Sequence, residues 1–257
     1  MLSTKNISYS IGNKTLVDSV TTEMHPGKIN LVIGPNGAGK STFIKLISGQ
    51  LKPSSGRILF GDQSIEQYSL AALSKVRAVL SQNIELAFPL TVREVVIMGR
   101  YPHFSAKPTA KDLQAVEEAM ALFDVTGMQD RNYLTLSGGE KQRVQFARVL
   151  AQIWYPVEHG CRYLVLDEPL TFLDIHYQFD FMEKLVSLLH QPDLLVIGVI
   201  HDLNLAARYA GHIILLNNGK VLAAGNKHEV LTADHITVAY HITPDIHVDN
   251  DRMYLLF

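Results

Sequence analysis

The sequence predicts a mixed α/β fold in which an antiparallel β subdomain comes first and a helical subdomain is inserted into the middle of the chain. Predominantly apolar runs typical of buried strands occur at residues 29–33, 163–166 and 194–200, and the run at 163–166 is continuous. Between the first two of these runs, apolar residues recur at helical spacing. Before the first run, two β-prone segments flank the turn dipeptide Gly12-Asn13, which predicts a hairpin.

The composition limits the class of protein. The chain has 257 residues, a formal net charge of −2 and a hydrophobic content of 47%, as in an ordinary globular protein. This net charge gives the protein no overall positive potential of the kind that attracts nucleic acid, so we expect no nucleic-acid partner. The purely apolar runs are far shorter than the roughly 20 residues that cross a bilayer. With no apolar secretion signal at the N-terminus and Cys161 as the single cysteine, we expect a cytosolic chain that does not span a membrane.

The first part of the chain is predicted to alternate strands and turns. Pro26-Gly27 predicts a turn into the strand at residues 29–33, and Gly49 is expected to follow the end of the next helix. Further strands are expected at residues 57–60 and 79–81.

A helical pattern then predicts the inserted subdomain at residues 84–160, between core segments 1–83 and 161–257. Thr91 to Glu94 and Ser137 to Glu140 have the spacing of capping boxes. The apolar residues expected on one helical face between them are Leu113, Val116, Met120 and Phe123. After the return to the core, we predict helices at about 174–190 and 203–209, strands at 213–216 and 221–224, and a capped helix start at Asn226.

The glycine-rich stretch between the strand at 29–33 and the next helix fits the phosphate-loop pattern G-x-x-x-x-G-K-[ST]. It consists of Gly34, Pro35, Asn36, Gly37, Ala38, Gly39, Lys40, Ser41 and Thr42. Glycines let the backbone N–H groups approach phosphate oxygens, and the positive end of the helix faces the same anion. We expect Lys40 to reach the β- and γ-phosphates and Ser41 to ligate Mg²⁺.

Two carboxylates follow the apolar strand at residues 163–166. At such a strand end, Asp167 is expected to hold Mg²⁺ through water, and Glu168 to orient or deprotonate an attacking water.

A second glycine-containing helix start is the feature that best distinguishes this chain from other phosphate-loop proteins. Ser137, Gly138, Gly139 and Glu140 again make an anion site, and since the first loop already holds phosphate, a second molecule is implied. Here the sequence resembles the ABC ATPase family. Leu136 to Glu140 matches the family's signature motif, Gln82 its Q-loop, Asp174 its D-loop and His201 its switch histidine.

The resemblance implies a P-loop NTPase core of the ABC ATPase type that uses ATP and Mg²⁺ as a head-to-tail homodimer. ATP would lie between the phosphate loop of one subunit and the Ser137 to Gly139 loop of the other. Gln82 would contact Mg²⁺ and the water, His201 the γ-phosphate, and Asp174 would couple the two sites.

Two positions depart from the family pattern. The aromatic that usually stacks on adenine is replaced by Ile11, so Tyr9, two residues earlier, is the candidate for adenine binding. Where the family prefers small and hydroxylated residues, this chain has Leu170-Thr171-Phe172, and this bulk is expected to change how two subunits meet.

Other segments indicate which ABC proteins are most similar. Residues 88–92, 99–103 and 201–209 resemble the ATPases of iron-siderophore, haem and cobalamin importers, and residues 147–154 are most similar to haemin importers. The resemblance implies a separate transmembrane permease dimer, an indirect periplasmic or surface substrate-binding protein, and a peripheral location on the cytoplasmic face of the inner membrane. A siderophore or cobalamin importer, a non-transport ABC ATPase and an exporter ATPase stay as alternatives.

The C-terminal histidines His235, His241 and His247 suggest a metal or haem site at first sight. Their six-residue spacing suits neither one helical face nor a compact ligand set, so a solvated, charged segment is expected instead.

Overall fold

The computed structural model describes residues 1–81, 88–158, 160–250 and 252–257. Its contacts divide the chain into two compact units. Unit 1 contains Met1–Gln67 and Leu195–Phe257, and unit 2 contains Tyr68–Leu194.

Strands and helices alternate through much of the described chain. The strands are β1 (Leu2–Ile11), β2 (Lys14–Met24), β3 (Ile29–Ile33), β4 (Ser55–Phe60), β5 (Gln63–Ser64), β6 (Arg77–Leu80), β7 (Arg162–Leu166), β8 (Leu194–Val199), β9 (His212–Asn217), β10 (Lys220–Gly225), β11 (Asp245–Asp249) and β12 (Arg252–Leu256). The α-helices are α1 (Lys40–Ile47), α2 (Leu70–Val76), α3 (Val92–Met98), α4 (Ala110–Leu122), α5 (Gly138–Gln152), α6 (Ile175–Leu188), α7 (Leu203–Tyr209), α8 (Lys227–Val230) and α9 (Ala233–Tyr240).

Unit 1 begins with the antiparallel sheet that the sequence predicts. β1 pairs with β2 and with β4, and the sheet has the order β2-β1-β4-β5. The turn between β1 and β2 falls at Gly12-Asn13, as expected. One face of the sheet is apolar and buried, with Ile7, Val17 and Val20 at most 1% exposed, so this sheet has one packed face and one polar face.

The rest of unit 1 is built on parallel strands. β3 pairs in parallel with β8 on one side and β9 on the other, and β10 pairs antiparallel with β9. Every residue of β3 is buried. One of them, Asn30, is polar, and its amide Nδ2 donates to the carbonyl oxygens of His25 at 3.0 Å and Val196 at 3.0 Å. The amide is thereby satisfied inside an apolar layer, as a buried polar group must be.

Unit 2 packs helices around a second apolar core. The rings of Phe146 on α5 and Phe181 on α6 stack with centroids 3.9 Å apart, and Phe123 lies against both. The buried guanidinium of Arg100 pairs with Asp112 at 2.9 Å and donates to the carbonyl oxygen of Ala151 at 2.7 Å. Arg100 therefore ties the start of α4 to the end of α5.

The predicted helix boundaries are confirmed where the sequence supplies caps. Complete capping boxes begin α3 at Thr91, α5 at Ser137 and α8 at Asn226. Gly49 follows the C-cap of α1 with φ of 70°, the left-handed conformation that favours glycine after a helix.

The prediction of strands and turns alone between residues 57 and 82 is wrong, because α2 lies there. This helix has only 7 residues, so the helical spacing of Leu70, Leu73 and Val76 extends over too short a stretch to identify it.

The C-terminal segment has the solvated, charged face that the sequence predicts, since His241, Asp245, His247 and Asp249 are exposed, but it also has a packed face that was not predicted. β11 and β12 form an antiparallel hairpin whose Met253 and Leu255 are 7% and 2% exposed. The side-chain amide of Asn204 on α7 accepts from the Leu255 N–H at 2.8 Å and donates to the Leu255 carbonyl at 3.1 Å. The hairpin therefore packs on the fold through its inner face.

A helix that crosses a bilayer needs roughly 20 predominantly apolar residues. None of the helices in the described ranges is both long and apolar enough to span one.

Candidate functional site

The phosphate loop of unit 1 has a conformation that glycine makes possible. Gly34, Gly37 and Gly39 have φ of 147°, 80° and 96°, a region that other residues rarely adopt. Two of them also leave no room for a side chain. A Cβ at Gly34 would lie 2.2 Å from the Leu216 carbonyl oxygen, and one at Gly39 would lie 2.3 Å from that of Leu16.

Lys40 begins α1 and folds back over the loop. It is 5% exposed, and its Nζ donates to the carbonyl oxygens of Gly34 at 2.8 Å and Pro35 at 2.9 Å. The ammonium group is thereby held above the concave side of the glycine turn. Ser41 and Thr42 follow it in the first turn of the helix and are partly exposed.

Backbone contacts from two distant segments brace the same loop. The Gly219 N–H, in the turn between β9 and β10, donates to the Ala38 carbonyl at 3.1 Å, and the Asp18 N–H of β2 donates to the Gly219 carbonyl at 2.8 Å. The turn between β9 and β10, itself bonded to β2, therefore helps to maintain the loop shape.

His201 and Tyr9 also lie in unit 1. His201 is exposed and comes directly after β8 and Ile200. The next residue, Asp202, caps α7 by accepting from the N–H groups of Asn204 and Leu205. Tyr9 is partly buried on β1 and is paired with Val17, while Ile11 at the end of that strand is 61% exposed.

Asp167 and Glu168 follow β7 in unit 2. The Asp167 N–H donates to the Leu80 carbonyl at 2.9 Å, and the residue is 6% exposed. Glu168 has φ of 50°, a conformation that strains the backbone of a non-glycine residue and is common at functional sites. The hydroxyl of Thr171 donates to the Glu168 carbonyl at 3.0 Å and so closes this turn.

The signature loop forms an exposed helix start. The Ser137 hydroxyl accepts from the Glu140 N–H at 3.3 Å, and the Glu140 carboxylate accepts from the Ser137 N–H at 2.8 Å. The backbone N–H of Ser137, its hydroxyl and the Arg131 ion pair lower the pKa of Glu140. Ser137 and Gly138 themselves are exposed, so this helix end is open to a partner.

The structure brings the signature loop and the segment before Asp174 together within unit 2. Gln142 on α5 donates from Nε2 to the Pro169 carbonyl at 2.7 Å. Phe172 is 57% exposed, and its Cβ would be 3.8 Å from a Cβ at Gly138. Asp174 caps α6 by accepting from the Tyr177 N–H at 3.1 Å.

Two further residues relevant to the site are Gln82 and Gln142. Gln82, the predicted Q-loop residue, lies outside the described residues. Gln142 was missed because its partner Pro169 is distant in sequence and glutamine on a helix is ordinary. Its position one turn into the helix that Ser137 begins is the one signal that would have pointed to it.

The fold and the two glycine loops define a nucleotide-binding protein of the phosphate-loop class. The family model described as ABC transporter matches residues 17–171. The chain therefore belongs to the ABC transporter family, as its sequence motifs predict, and is an ATP-binding ATPase.

Relatives and solved structures agree with this assignment. The chain is 41% identical over 240 residues to the hemin import ATP-binding protein HmuV of Escherichia coli O157:H7, a match that covers 93% of this chain and 92% of that protein. A metal-chelate type ABC transporter in an inward-facing conformation matches with a TM-score of 0.81 and 25% identity, over 100% of this chain and 97% of that one. A dimeric ATP-binding cassette bound to ADP and phosphate matches with a TM-score of 0.75 and 25% identity, over 88% and 98%.

Proposed function

We propose that the protein is the ATP-hydrolysing motor subunit of a bacterial haemin importer and energises a separate transmembrane permease. The observation that carries this proposal is 41% identity to a hemin import ATP-binding protein over 93% of the chain. Import of a ferric siderophore or cobalamin is the second candidate, and the similarity to a metal-chelate type transporter favours it over other cargoes.

We assign nucleotide binding to the phosphate loop. The backbone N–H groups from Asn36 to Thr42 and the Lys40 ammonium would bind the ATP phosphates, and Gly34 and Pro35 would shape the start of the loop, because glycines at positive φ allow a close approach. Tyr9 is our candidate for contact with adenine. The brace from Gly219 supports this assignment, since a pre-organised loop loses less entropy on binding.

We assign hydrolysis to Glu168, with Gln82 and His201 contacting the water and the γ-phosphate. Glu168 would orient or deprotonate the attacking water. Its strained backbone supports the assignment, because strain of this kind persists where surrounding structure enforces a functional geometry.

Mg²⁺ is the metal that we expect with ATP. The proposed ligands are the Ser41 hydroxyl, the Gln82 amide oxygen and, through water, the Asp167 carboxylate. These are all oxygen donors, which Mg²⁺ prefers. When bound, the ion would neutralise charge on the β- and γ-phosphates.

We propose that two copies form a head-to-tail homodimer, in which the Ser137 to Glu140 loop of one copy completes the ATP site of the other. The exposed start of α5 supports this, because its N–H groups and helix dipole favour an anion. Asp174 would link the two sites. Catalysis would then require closure of the dimer.

We further propose that residues 84–160 act as the helical signature subdomain, with 1–83 and 161–257 as the nucleotide-binding core. The dimer would bind a transmembrane permease dimer on the cytoplasmic face of the inner membrane and serve a periplasmic or surface substrate-binding protein indirectly. We expect no nucleic acid among its partners.

Reconstitution in proteoliposomes with the permease encoded beside it tests the cargo. ATP-driven uptake of haemin, a ferric siderophore and cobalamin is compared, with Lys40→Ala as the inactive control. Uptake of haemin alone supports the proposal. Uptake of another cargo in place of haemin rejects haemin, and co-purification with ribosomes or DNA in place of a permease rejects transport.

A further inference from the structure

Tyr240 at the end of α9 lies near the phosphate loop, far from it in sequence. α9 lies beside β10, and Asn217 at the end of β9 donates from Nδ2 to the Val238 carbonyl on α9 at 3.4 Å. The preceding residue, Leu216, is the one whose carbonyl nearly touches Gly34. The end of β9 therefore contacts both the first residue of the phosphate loop and the helix that carries Tyr240.

The hydroxyl oxygen of Tyr240 is buried and faces the backbone N–H of Gly34. Burial raises the pKa of this hydroxyl to about 12, and the Gly34 N–H acts in the opposite direction. The contact falls short of a full hydrogen bond, because no group in the described ranges meets the oxygen with the required distance and angle. Burying a hydroxyl in this way destabilises a fold, so phenylalanine would be the more stable residue here.

Gly34 is thus approached from two directions. Its carbonyl accepts from Lys40 at 2.8 Å, and its N–H faces Tyr240. A closer approach of this N–H to the hydroxyl would complete the hydrogen bond. Because a ligand shifts a conformation only through contacts that differ between the two states, such a bond would stabilise the nucleotide-bound loop specifically.

We infer that Tyr240 is a positioning residue for ATP binding, whose hydroxyl completes a hydrogen bond with the Gly34 N–H when the loop closes around the phosphates. The inference rests on the proposed phosphate-binding role of residues 34–42. It connects the C-terminal helix α9 to nucleotide affinity without any contact between Tyr240 and ATP.

Tyr240→Phe in the full chain tests the inference, because it removes the hydroxyl and keeps the ring. We expect the dissociation constant of MgATP, measured with a fluorescent ATP analogue, to rise about three- to tenfold, the scale of one hydrogen bond. The Michaelis constant for ATP is expected to rise in parallel, with kcat within about twofold of the parent. The melting temperature without nucleotide is expected to stay the same or increase.

Two controls separate the possible outcomes. Tyr254→Phe removes a hydroxyl from the exposed face of the C-terminal hairpin, where the residue is 44% exposed, and is expected to change neither ATP affinity nor melting temperature.

Lys40→Ala must abolish ATP binding, and if it does not, the proposed nucleotide site is wrong. If Lys40→Ala fails to bind but Tyr240→Phe binds ATP as the parent does, only the role of Tyr240 is rejected. A lower melting temperature with unchanged affinity would assign the hydroxyl to folding alone and also reject the inference.

Discussion

The guanidinium group of Arg162 forms two hydrogen bonds with the carboxylate of Asp193, from Nε to Oδ2 at 2.7 Å and from Nη2 to Oδ1 at 2.7 Å. The Arg162 side chain is 1% exposed, and its Nη1 also donates to the carbonyl oxygens of Ile153 and Trp154. One side chain therefore joins the start of β7 to the end of α5 and to the loop before β8.

Asp193→Ala is expected to destabilise the protein by about 3 kcal/mol, because it leaves a buried guanidinium without its counter-charge. Thermal melting and urea unfolding measure the change. The matched control is Glu66→Ala, which breaks the ion pair with Lys52 whose side chains are 54% and 80% exposed; its expected cost is below about 1 kcal/mol. Equal effects of the two substitutions would contradict the assigned importance of burial.

The same pair predicts a dependence of stability on pH. Burial raises the pKa of Asp193, but the hydrogen bonds and charge of Arg162 outweigh burial, and the net pKa is lowered. A carboxyl with a lowered native pKa binds fewer protons when folded, so its contribution is present above the unfolded pKa of about 4 and is lost as pH falls through the native value. We expect the difference in melting temperature between the parent and Asp193→Asn to shrink below about pH 4. A constant difference from pH 7 to pH 3 would argue against the linkage.

Gly99→Ala is expected to destabilise unit 2 by at least about 2 kcal/mol, as overpacking does in a filled core. The added Cβ would lie 2.1 Å from the Arg148 carbonyl oxygen of α5, and backbone cannot move aside cheaply. Gly127→Ala is the control, since a Cβ there meets nothing within 4 Å. Urea unfolding of both proteins measures the difference, and an unaltered Gly99→Ala protein would mean that α3 and α5 separate easily.

Glu168→Gln is expected to bind ATP and reduce hydrolysis by about 100-fold or more, since it removes the proposed base and keeps the shape of the side chain. The stalled protein should accumulate as an ATP-bound dimer in size-exclusion chromatography. Glu117→Gln changes a carboxylate that is 63% exposed on α4 and should hydrolyse ATP normally. Hydrolysis by Glu168→Gln at the parent rate would show that another group activates the water.

Phe172→Ala tests whether the bulky residue beside the signature loop affects the proposed dimer. The ring is 57% exposed in the single chain, so its removal should leave melting within about 1 °C while changing ATP-dependent dimerisation of the Glu168→Gln protein, as expected of a surface substitution. Val186→Ala removes another exposed apolar side chain, 40% exposed on α6, and should leave dimerisation unchanged. No change in either ATPase rate or dimerisation with Phe172→Ala would reject the hypothesis.

The sequence predicts those parts of the fold whose determinants are local. The strand, loop and helix around Lys40 follow from an apolar run, three glycines and a helical face, and the helix starts at Thr91 and Ser137 follow from capping residues three positions apart. Each of these patterns involves residues that are close together in the sequence, so the local sequence is enough to predict the element.

Contacts between distant segments could not be predicted in the same way. Gln142 meets Pro169, and Tyr240 meets Gly34, only because strands and helices bring them together. The helix α9 and the hairpin β11–β12 were not predicted, because α9 is short with Ile236 and Ala239 as its buried residues, and charged residues alternate through β11. Their packing is decided by tertiary contacts rather than by local preference.

The contact between Asn204 and Leu255 has a consequence for solubility. An edge strand offers unpaired backbone groups on which a strand of another molecule can add, and this is a common route to aggregation. By supplying one donor and one acceptor to Leu255, the Asn204 amide occupies two of these groups with a side chain of the same protein. It thereby blocks strand addition at that point of β12.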